Sequence, residues 1–130
     1  MPKPKTKKMT MARATKLAND AFSHYIIARD KYCVTCGSNY RLQCSHVFRR
    51  THHATIWHEF NAYAQCAACH VRHYRQSESY LLDYARRRIG DEAYKDLRDN
   101  WNTTSHRKVY QVEEIARFYT EKARALRNGK

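Results

Sequence analysis

The sequence predicts an α+β fold, mostly helical, with a zinc-bound core flanked by an N-terminal helix and C-terminal helices. Three observations predict it. Two Cys-x-x-Cys pairs, Cys33 with Cys36 and Cys66 with Cys69, have the spacing of metal knuckles. Long segments on either side of that frame repeat apolar residues at three- and four-residue steps, the helical period. The chain holds only 3 Gly and 2 Pro, poor provision for the many tight turns of an all-β design.

At 130 residues the chain is sized for one ordinary domain. Lys and Arg number 25 against 12 Asp and Glu, a formal net charge of +13 that points to a polyanionic partner. No apolar run approaches the roughly 18–20 residues of a membrane span. The basic start, Met1 to Lys8, is not followed by the apolar stretch of a signal peptide. Membrane and secreted classes are therefore disfavoured. The 10 tyrosines can stack on bases or fill a small core.

Residues 1–11 carry Lys3, Lys5, Lys7 and Lys8 and no acid, and Pro2 and Pro4 block a helix. A disordered basic arm is predicted. It either contacts phosphates, gaining affinity by counterion release, or is a solubilising tail. Residues 12–31 read as a helix with Ala14, Leu17, Ala18, Ala21, Tyr25 and Ala28 on its apolar stripe, widened by Phe22 and Ile26. The first cysteine pair follows, and Gly37 after it suits a knuckle that needs positive φ. Tyr40 to Phe48 reads as a strand, Arg49 to Phe60 as a loop rich in His and Arg with Trp57 as its anchor, and Asn61 to Gln65 as a short second strand.

Cys66 to about Gln76 reads as a helix holding the second pair in its first turn. Ser77 or Ser79 can cap a further helix ending at Ile89 before Gly90. Asp91 to Trp101 and residues 107–127 complete the helices. In the last, Val109, Val112, Ala116, Tyr119, Ala123 and Leu126 step 3-4-3-4-3, a heptad-like seam. It packs either on its own domain or on a second copy. The domain reading is an arm over 1–11, a zinc domain with its N-terminal helix over 12–101, and a C-terminal helix over 102–130 carrying a candidate dimer seam.

Five cysteines without a signal peptide argue against a secreted disulfide scaffold. Cys33, Cys36, Cys66 and Cys69 read as a structural tetrahedral zinc site, because each pair offers two thiolates from one tight turn. A redox pair or unrelated buried thiols are the alternatives. The gap from Cys36 to Cys66 exceeds that of a simple ribbon, and a strand, a loop and a helix lie within the zinc frame.

Within that frame the order is Cys-x-x-Cys, His46, Asn61, then Cys-x-x-Cys followed at once by His70. This resembles the HNH (ββα-metal, treble-clef) nuclease motif. The match is tighter to the phage NinG/Rap-like recombination family. It is carried by Ala21-Phe-Ser-His-Tyr25 with Arg29-Asp30, Cys33-Val-Thr-Cys36-Gly37, Gln43-Cys-Ser-His46, Asn61-Ala-Tyr-Ala-Gln65-Cys66-Ala-Ala-Cys69, and Tyr84 with Arg88-Ile89-Gly90. The resemblance implies a zinc nuclease domain within residues 12–101 that hydrolyses DNA phosphodiesters. By that likeness His46 is the general base, Asn61 pins the loop and orients the imidazole, and His70 ligates a catalytic Mg2+ or Mn2+. It further implies branched DNA as substrate, such as four-way junctions or displacement loops, and action in the cytoplasm of a bacterial host. A two-fold symmetric junction needs two active sites, which a homodimer supplies.

The chemistry agrees with these roles. A phosphodiester repels hydroxide, so a cation must neutralise it and hold the leaving oxygen. A neutral imidazole then takes the proton of the attacking water. The chain departs from the pattern it resembles in three places. Ser45 stands where many HNH nucleases have Asp as a second metal ligand. His70 stands where NinG relatives usually have Asn. Val71-Arg-His-Tyr-Arg75 replaces a small-residue stretch. Further ligands could come from His52, His53, His58 or Glu59. Cys44, on the strand face of His46, is either a soft ligand or a small buried residue.

Arg49, Arg50, Arg72 and Arg75 surround the motif and are read as DNA contacts, since the Arg fork pairs two phosphate oxygens. Arg86 to Arg88 cannot all face one way. Two other functions remain open on sequence alone: a non-catalytic zinc module that binds nucleic acid, and an HNH nuclease of phage defence or packaging.

Overall fold

The computed structural model describes residues 8–48, 54–75, 79–100 and 106–129. In chain order the elements are α1 (Met11–Asp30), β1 (Leu42–His46), β2 (Ala62–Cys66), α2 (Ala67–Arg75), α3 (Ser79–Ile89), α4 (Asp91–Asn100) and α5 (Val109–Asn128). The architecture is α+β and mostly helical, as the sequence predicts. The two strands form an antiparallel pair, with Leu42 opposite Cys66 and His46 opposite Ala62.

Thr10 starts α1 by accepting the Arg13 N–H on its hydroxyl at 3.2 Å. Lys31, at φ 66°, ends it in the left-handed region, returning its N–H to Ile27 O. The helix therefore begins inside the arm predicted for residues 1–11. Of that arm, Lys8 is exposed, and Lys3, Lys5 and Lys7 lie outside the described residues.

α1 buries Ala14, Ala18, Ala21, Phe22, Tyr25 and Ile26. Leu17, assigned to that stripe from sequence, is 44% exposed instead. The stripe of small alanines makes a shallow groove, and α5 fills it with Val112, Tyr119 and Ala123, all buried in the same cluster. Val109, Ile115 and Ala116 pack at its edge, while Leu126 stays 42% exposed. The heptad seam thus faces α1 of its own chain, the first of the two readings the sequence left open. Heptad spacing shows that a helix face wants a partner. It does not say whose.

β2 is buried along its whole length. By the two-residue period it serves two cores. Ala62 belongs to the α1–α5 cluster, and Tyr63 to a second cluster with Val47, Leu81 and Ala85, where α3 and α4 pack. The hairpin is therefore a wall between two helical layers. β1 is shorter than the strand predicted over Tyr40 to Phe48. Arg41 takes φ 51°, and past His46 the Val47 N–H still meets the Asn61 carbonyl, after which the Asn61 side chain takes over, accepting the Phe48 N–H at 2.9 Å. Gly90, at φ 90°, separates α3 from α4 as predicted. No helix among the described residues is long and apolar enough to cross a membrane.

This packing predicts a contrast. Val112→Glu buries a carboxylate in an apolar cluster and should cost about 3–5 kcal/mol. Leu17→Glu lies on the surface and should stay within about 0.5 kcal/mol of the parent. Urea titration followed by circular dichroism measures both. Equal midpoints would contradict the assignment of this core.

Candidate metal centre and hydrolytic site

The first cysteine pair sits in a closed turn. Cys33 N–H donates to Ser38 O at 2.7 Å, and Gly37 N–H to Cys33 O at 2.9 Å. Gly37 has φ 80°, which L side chains adopt rarely. The turn is tied to the hairpin by Val34 N–H to Ala64 O at 2.9 Å and by Gln65 Nε2 to the Thr35 hydroxyl at 2.9 Å. The Tyr80 hydroxyl of α3 donates to Val34 O at 2.9 Å. The second pair needs no separate loop: Cys66 ends β2 and Cys69 lies in the first turn of α2.

These two elements bring the sulfurs of Cys33, Cys36, Cys66 and Cys69 within 4.8 Å of one another. The Sγ atoms of Cys36 and Cys66 are 3.7 Å apart. That is about the edge of a tetrahedron whose centre lies ~2.3 Å from each thiolate, the zinc–sulfur distance. It is far beyond the ~2.05 Å of a disulfide, and all five cysteines are free thiols. The donor set therefore fits zinc. Burial alone would raise the Cys33 thiol, but backbone N–H groups of Cys36, Cys66 and Thr35 more than offset it, and its pKa falls to about 6. Cys69 is pushed up instead, by burial and then by the neighbouring sulfurs. A cation at the centre removes that conflict, since metal replaces the protons. Cys44 lies outside the cluster, half-buried against the α1–α5 core, as a small packed residue does.

The C-terminus of α1 reaches the hairpin through a buried ion pair whose residues the sequence reading used only as part of the family likeness. Arg29 Nε meets Asp30 Oδ1 at 2.8 Å, with side-chain exposures of 10% and 2%. Arg29 also donates to the carbonyls of Ala62, at 2.8 Å, and Glu59. Asp30 accepts the Ala64 N–H at 2.8 Å. Burial opposes the Arg29 charge, but the bonds and charge of Asp30 outweigh it, so its pKa is raised. Tyr63 lies under the guanidinium at 5.0 Å. The sequence signal was the charge pair itself, placed at a helix end just before a cysteine knuckle.

His46 ends β1, opposite Ala62. Its Nε2 lies 2.9 Å from Ile56 O, and its ring packs on Phe22 with centroids 5.7 Å apart. A carbonyl can only accept, so the neutral ring carries its proton on Nε2 and its lone pair on Nδ1. The imidazole lines a cleft of about 260 Å³ between α1 and β1, with Asn19, Ser23 and Cys44. Asn61 is fully buried. Its Nδ2 donates to Thr55 O at 2.9 Å and Phe48 O at 3.2 Å. His46 and Asn61 thus act on the same loop, from its two ends.

His70 is placed elsewhere. Its Nδ1 lies 2.6 Å from Gln43 Oε1, and Gln43 points off the β1 face opposite to His46. Burial, then the charge of His73, lowers its pKa, which favours the neutral ring a metal needs. Ser45 is fully buried on that face. Of the other candidate ligands, Glu59 is engaged by Tyr25 at 3.1 Å and Lys122 at 3.4 Å. The His58 Nδ1 accepts the Phe60 N–H at 3.1 Å. His52 and His53 lie outside the described residues. The four cysteines form the one ligand cluster found among the described residues.

Arg72 is exposed on α2. Arg49 and Arg50 lie outside the described residues, as does the side chain of Arg75. The run Arg86 to Arg88 splits as expected. Arg86 pairs with Asp91 at 2.6 Å, while Arg88 turns toward Tyr63 and lies 3.9 Å from Asp30.

Replacing any one of Cys33, Cys36, Cys66 or Cys69 by Ser should release zinc and lower the melting temperature, because metal-binding energy is folding energy here. Cys44→Ser should keep the metal. Zinc analysis of the purified variants decides, and a full equivalent retained in one of the four would refute the site. For the ion pair, Arg29→Met strands a buried carboxylate and should cost about 3–5 kcal/mol. Adding Asp30→Asn should recover part of it in the same denaturation assay. Comparison with protein-family models, curated proteins and solved structures finds no match to this chain.

Proposed function

We propose that this chain is a zinc-structured, metal-dependent DNA endonuclease of the HNH (ββα-metal, treble-clef) type, similar to the NinG/Rap-like family and acting on branched DNA. The observation that carries the reading is the setting of His46. A histidine at the end of β1 gives its Nε2 proton to the Ile56 carbonyl, on a loop that buried Asn61 fastens. That arrangement fixes the tautomer and puts the lone pair that a base needs on Nδ1.

In this mechanism Nδ1 of His46 takes a proton from water as the water attacks phosphorus. The Ile56 carbonyl stabilises the imidazolium through the retained Nε2–H bond. Asn61 keeps that carbonyl in place without touching the substrate. Mg2+ or Mn2+ would supply charge neutralisation at the phosphate and the leaving oxygen, and His70 is the ligand this reading assigns to it. The positive chain, with exposed Lys8 and Arg72, suits a phosphate backbone. Lys3, Lys5, Lys7, Arg49, Arg50 and Arg75 extend the proposed contact set. Backbone contacts of this kind recognise the shape of DNA more than its bases.

A second reading is favoured by one observation. His46 and His70 meet different partners, and neither belongs to the cysteine cluster. A non-catalytic zinc module that binds nucleic acid would look the same.

The test is incubation of the zinc-loaded protein with a four-way junction and with linear duplex, in Mg2+, Mn2+ or chelator. His46→Ala should reduce cleavage by about 10²–10⁴-fold, with zinc content and DNA affinity unchanged. Binding without metal-dependent cleavage would select the second reading. Equal cleavage of linear and branched DNA would remove the junction assignment and point to an HNH nuclease of another pathway, such as defence or packaging.

A further inference from the structure

We infer that α5 positions the proposed base: Tyr119 holds the Trp57 carbonyl, and so fixes the neighbouring Ile56 carbonyl that sets the direction and tautomer of the His46 imidazole. This rests on the reading of His46 as the base.

The segment from Ala54 to Glu59 belongs to no helix or strand, yet Thr55, Ile56 and Trp57 are buried. Each of its successive carbonyls is engaged. Ala54 O accepts from Arg107 at 3.2 Å, and Thr55 O from Asn61 at 2.9 Å. Ile56 O accepts from His46 at 2.9 Å, and Trp57 O from the Tyr119 hydroxyl at 2.5 Å. His58 O accepts the Asn61 N–H at 2.9 Å, and Glu59 O is taken by Arg29. Two of these donors, Arg107 and Tyr119, come from α5 and the residues leading into it. Lys122, farther along α5, reaches the Glu59 carboxylate.

The position of Tyr119 within this set matters. The Ile56 carbonyl shares a planar peptide unit with the Trp57 nitrogen. That plane pivots on the Cα atoms of Ile56 and Trp57, so fixing Trp57 fixes one of its two pivots. Trp57 is held at both ends: its carbonyl by Tyr119, and its indole N–H by Asn19 Oδ1 at 2.9 Å. Arg107 lies over its ring at 5.2 Å. The Tyr119 ring also stands edge-on to Phe22 at 4.9 Å, and Phe22 carries the His46 ring on its far contact. One residue of α5 therefore bears on the imidazole by two routes, through the loop carbonyl and through Phe22. Burial, then the charge of Glu59, raises the Tyr119 pKa, so the phenol remains a donor. Tyr119 touches no reacting atom in this scheme. It is a positioning residue.

The experiment uses the full chain loaded with zinc and nitrogen-15-labelled at histidine. In the parent, His46 should show its unprotonated nitrogen at Nδ1. Tyr119→Phe keeps the ring and removes only the hydroxyl. It should yield a mixture of His46 tautomers and lower kcat roughly 10- to 100-fold, with KM on junction DNA within about twofold. Val112→Ala is the control: it loosens the core cluster to which Ile56 and Trp57 also belong but removes none of the loop's hydrogen bonds. It should lower the melting temperature but leave the His46 signals and kcat in place. An unchanged His46 spectrum in Tyr119→Phe overturns the proposal. So does a Val112→Ala variant that loses kcat to the same extent. If Tyr119→Phe fails to hold zinc, Asn19→Ala releases the other anchor of Trp57, and an unchanged His46 spectrum there overturns the proposal equally. The nuclease reading fails separately, if His46→Ala still cuts. The tautomer measurement needs no cleavage and decides the positioning role either way.

Discussion

The buried pair of Arg29 and Asp30 is the constraint on which the other parts converge. It sits at the end of α1, where helix, hairpin, knuckle and loop meet. Asp30 grips the Ala64 N–H, and the Ala64 carbonyl grips the Val34 N–H inside the first cysteine turn. Arg29 grips the carbonyls of Glu59 and Ala62, at the end of the loop and the start of β2. One ion pair therefore sets where β2 lies against α1 and where the knuckle lies against β2. A buried ion pair is seldom a large net source of stability, because desolvation cancels much of the attraction. Its value here is register. A slip of one residue would turn Tyr63 toward the alanine groove of α1 and Ala62 toward α3. The pair satisfies its charges in one alignment only.

That constraint matters because the sheet is minimal. An isolated two-stranded hairpin is marginal in water. This one separates two small cores, and the cysteine cluster closes the end of the hairpin where Leu42 meets Cys66. Zinc at that cluster would staple the knuckle to β2 and to the first turn of α2. The metal end and the His46 end of β1 are four residues apart along the strand, so the site inherits its alignment from the staple.

The helices, their stops and the cysteine cluster were legible in the sequence because each rests on local rules. Gly37 and Gly90 both occur at positive φ, and the paired Cys-x-x-Cys spacing does bring four sulfurs together. What the sequence left open concerns partners. The seam of α5 was visible as a face, but only the fold shows that Ala14, Ala18 and Ala21 receive it. Leu17 fits the same period yet lies just outside the contact arc. His46 and Asn61 were recognised from their order between the cysteine pairs, and the fold gives them one loop to act on. His70 was recognised in the same way, but strand parity sends its partner Gln43 off the opposite face from His46. Trp57 and Tyr119 carry much of the polar architecture without any motif to announce it, and Arg29-Asp30 was visible only as a charge pair within the family likeness. Many of their partners are backbone atoms, which leave no trace in side-chain identity.

That dependence on backbone partners explains why the segment from Ala54 to Glu59 is the most informative part of the molecule. A buried stretch outside helix and sheet must satisfy each carbonyl individually, because no ladder does so for it. A shorter turn between β1 and β2 would avoid the whole requirement, since antiparallel strands can be joined by two residues. The chain instead spends Arg29, Asn61, Arg107, Tyr119 and His46 on this one stretch. Four of those five donors are held by packing or by bonds to the frame. The fifth is an imidazole whose other nitrogen carries a lone pair. An irregular stretch satisfied donor by donor holds its carbonyls in fixed directions, and that fixed direction is what the proposed role of His46 requires.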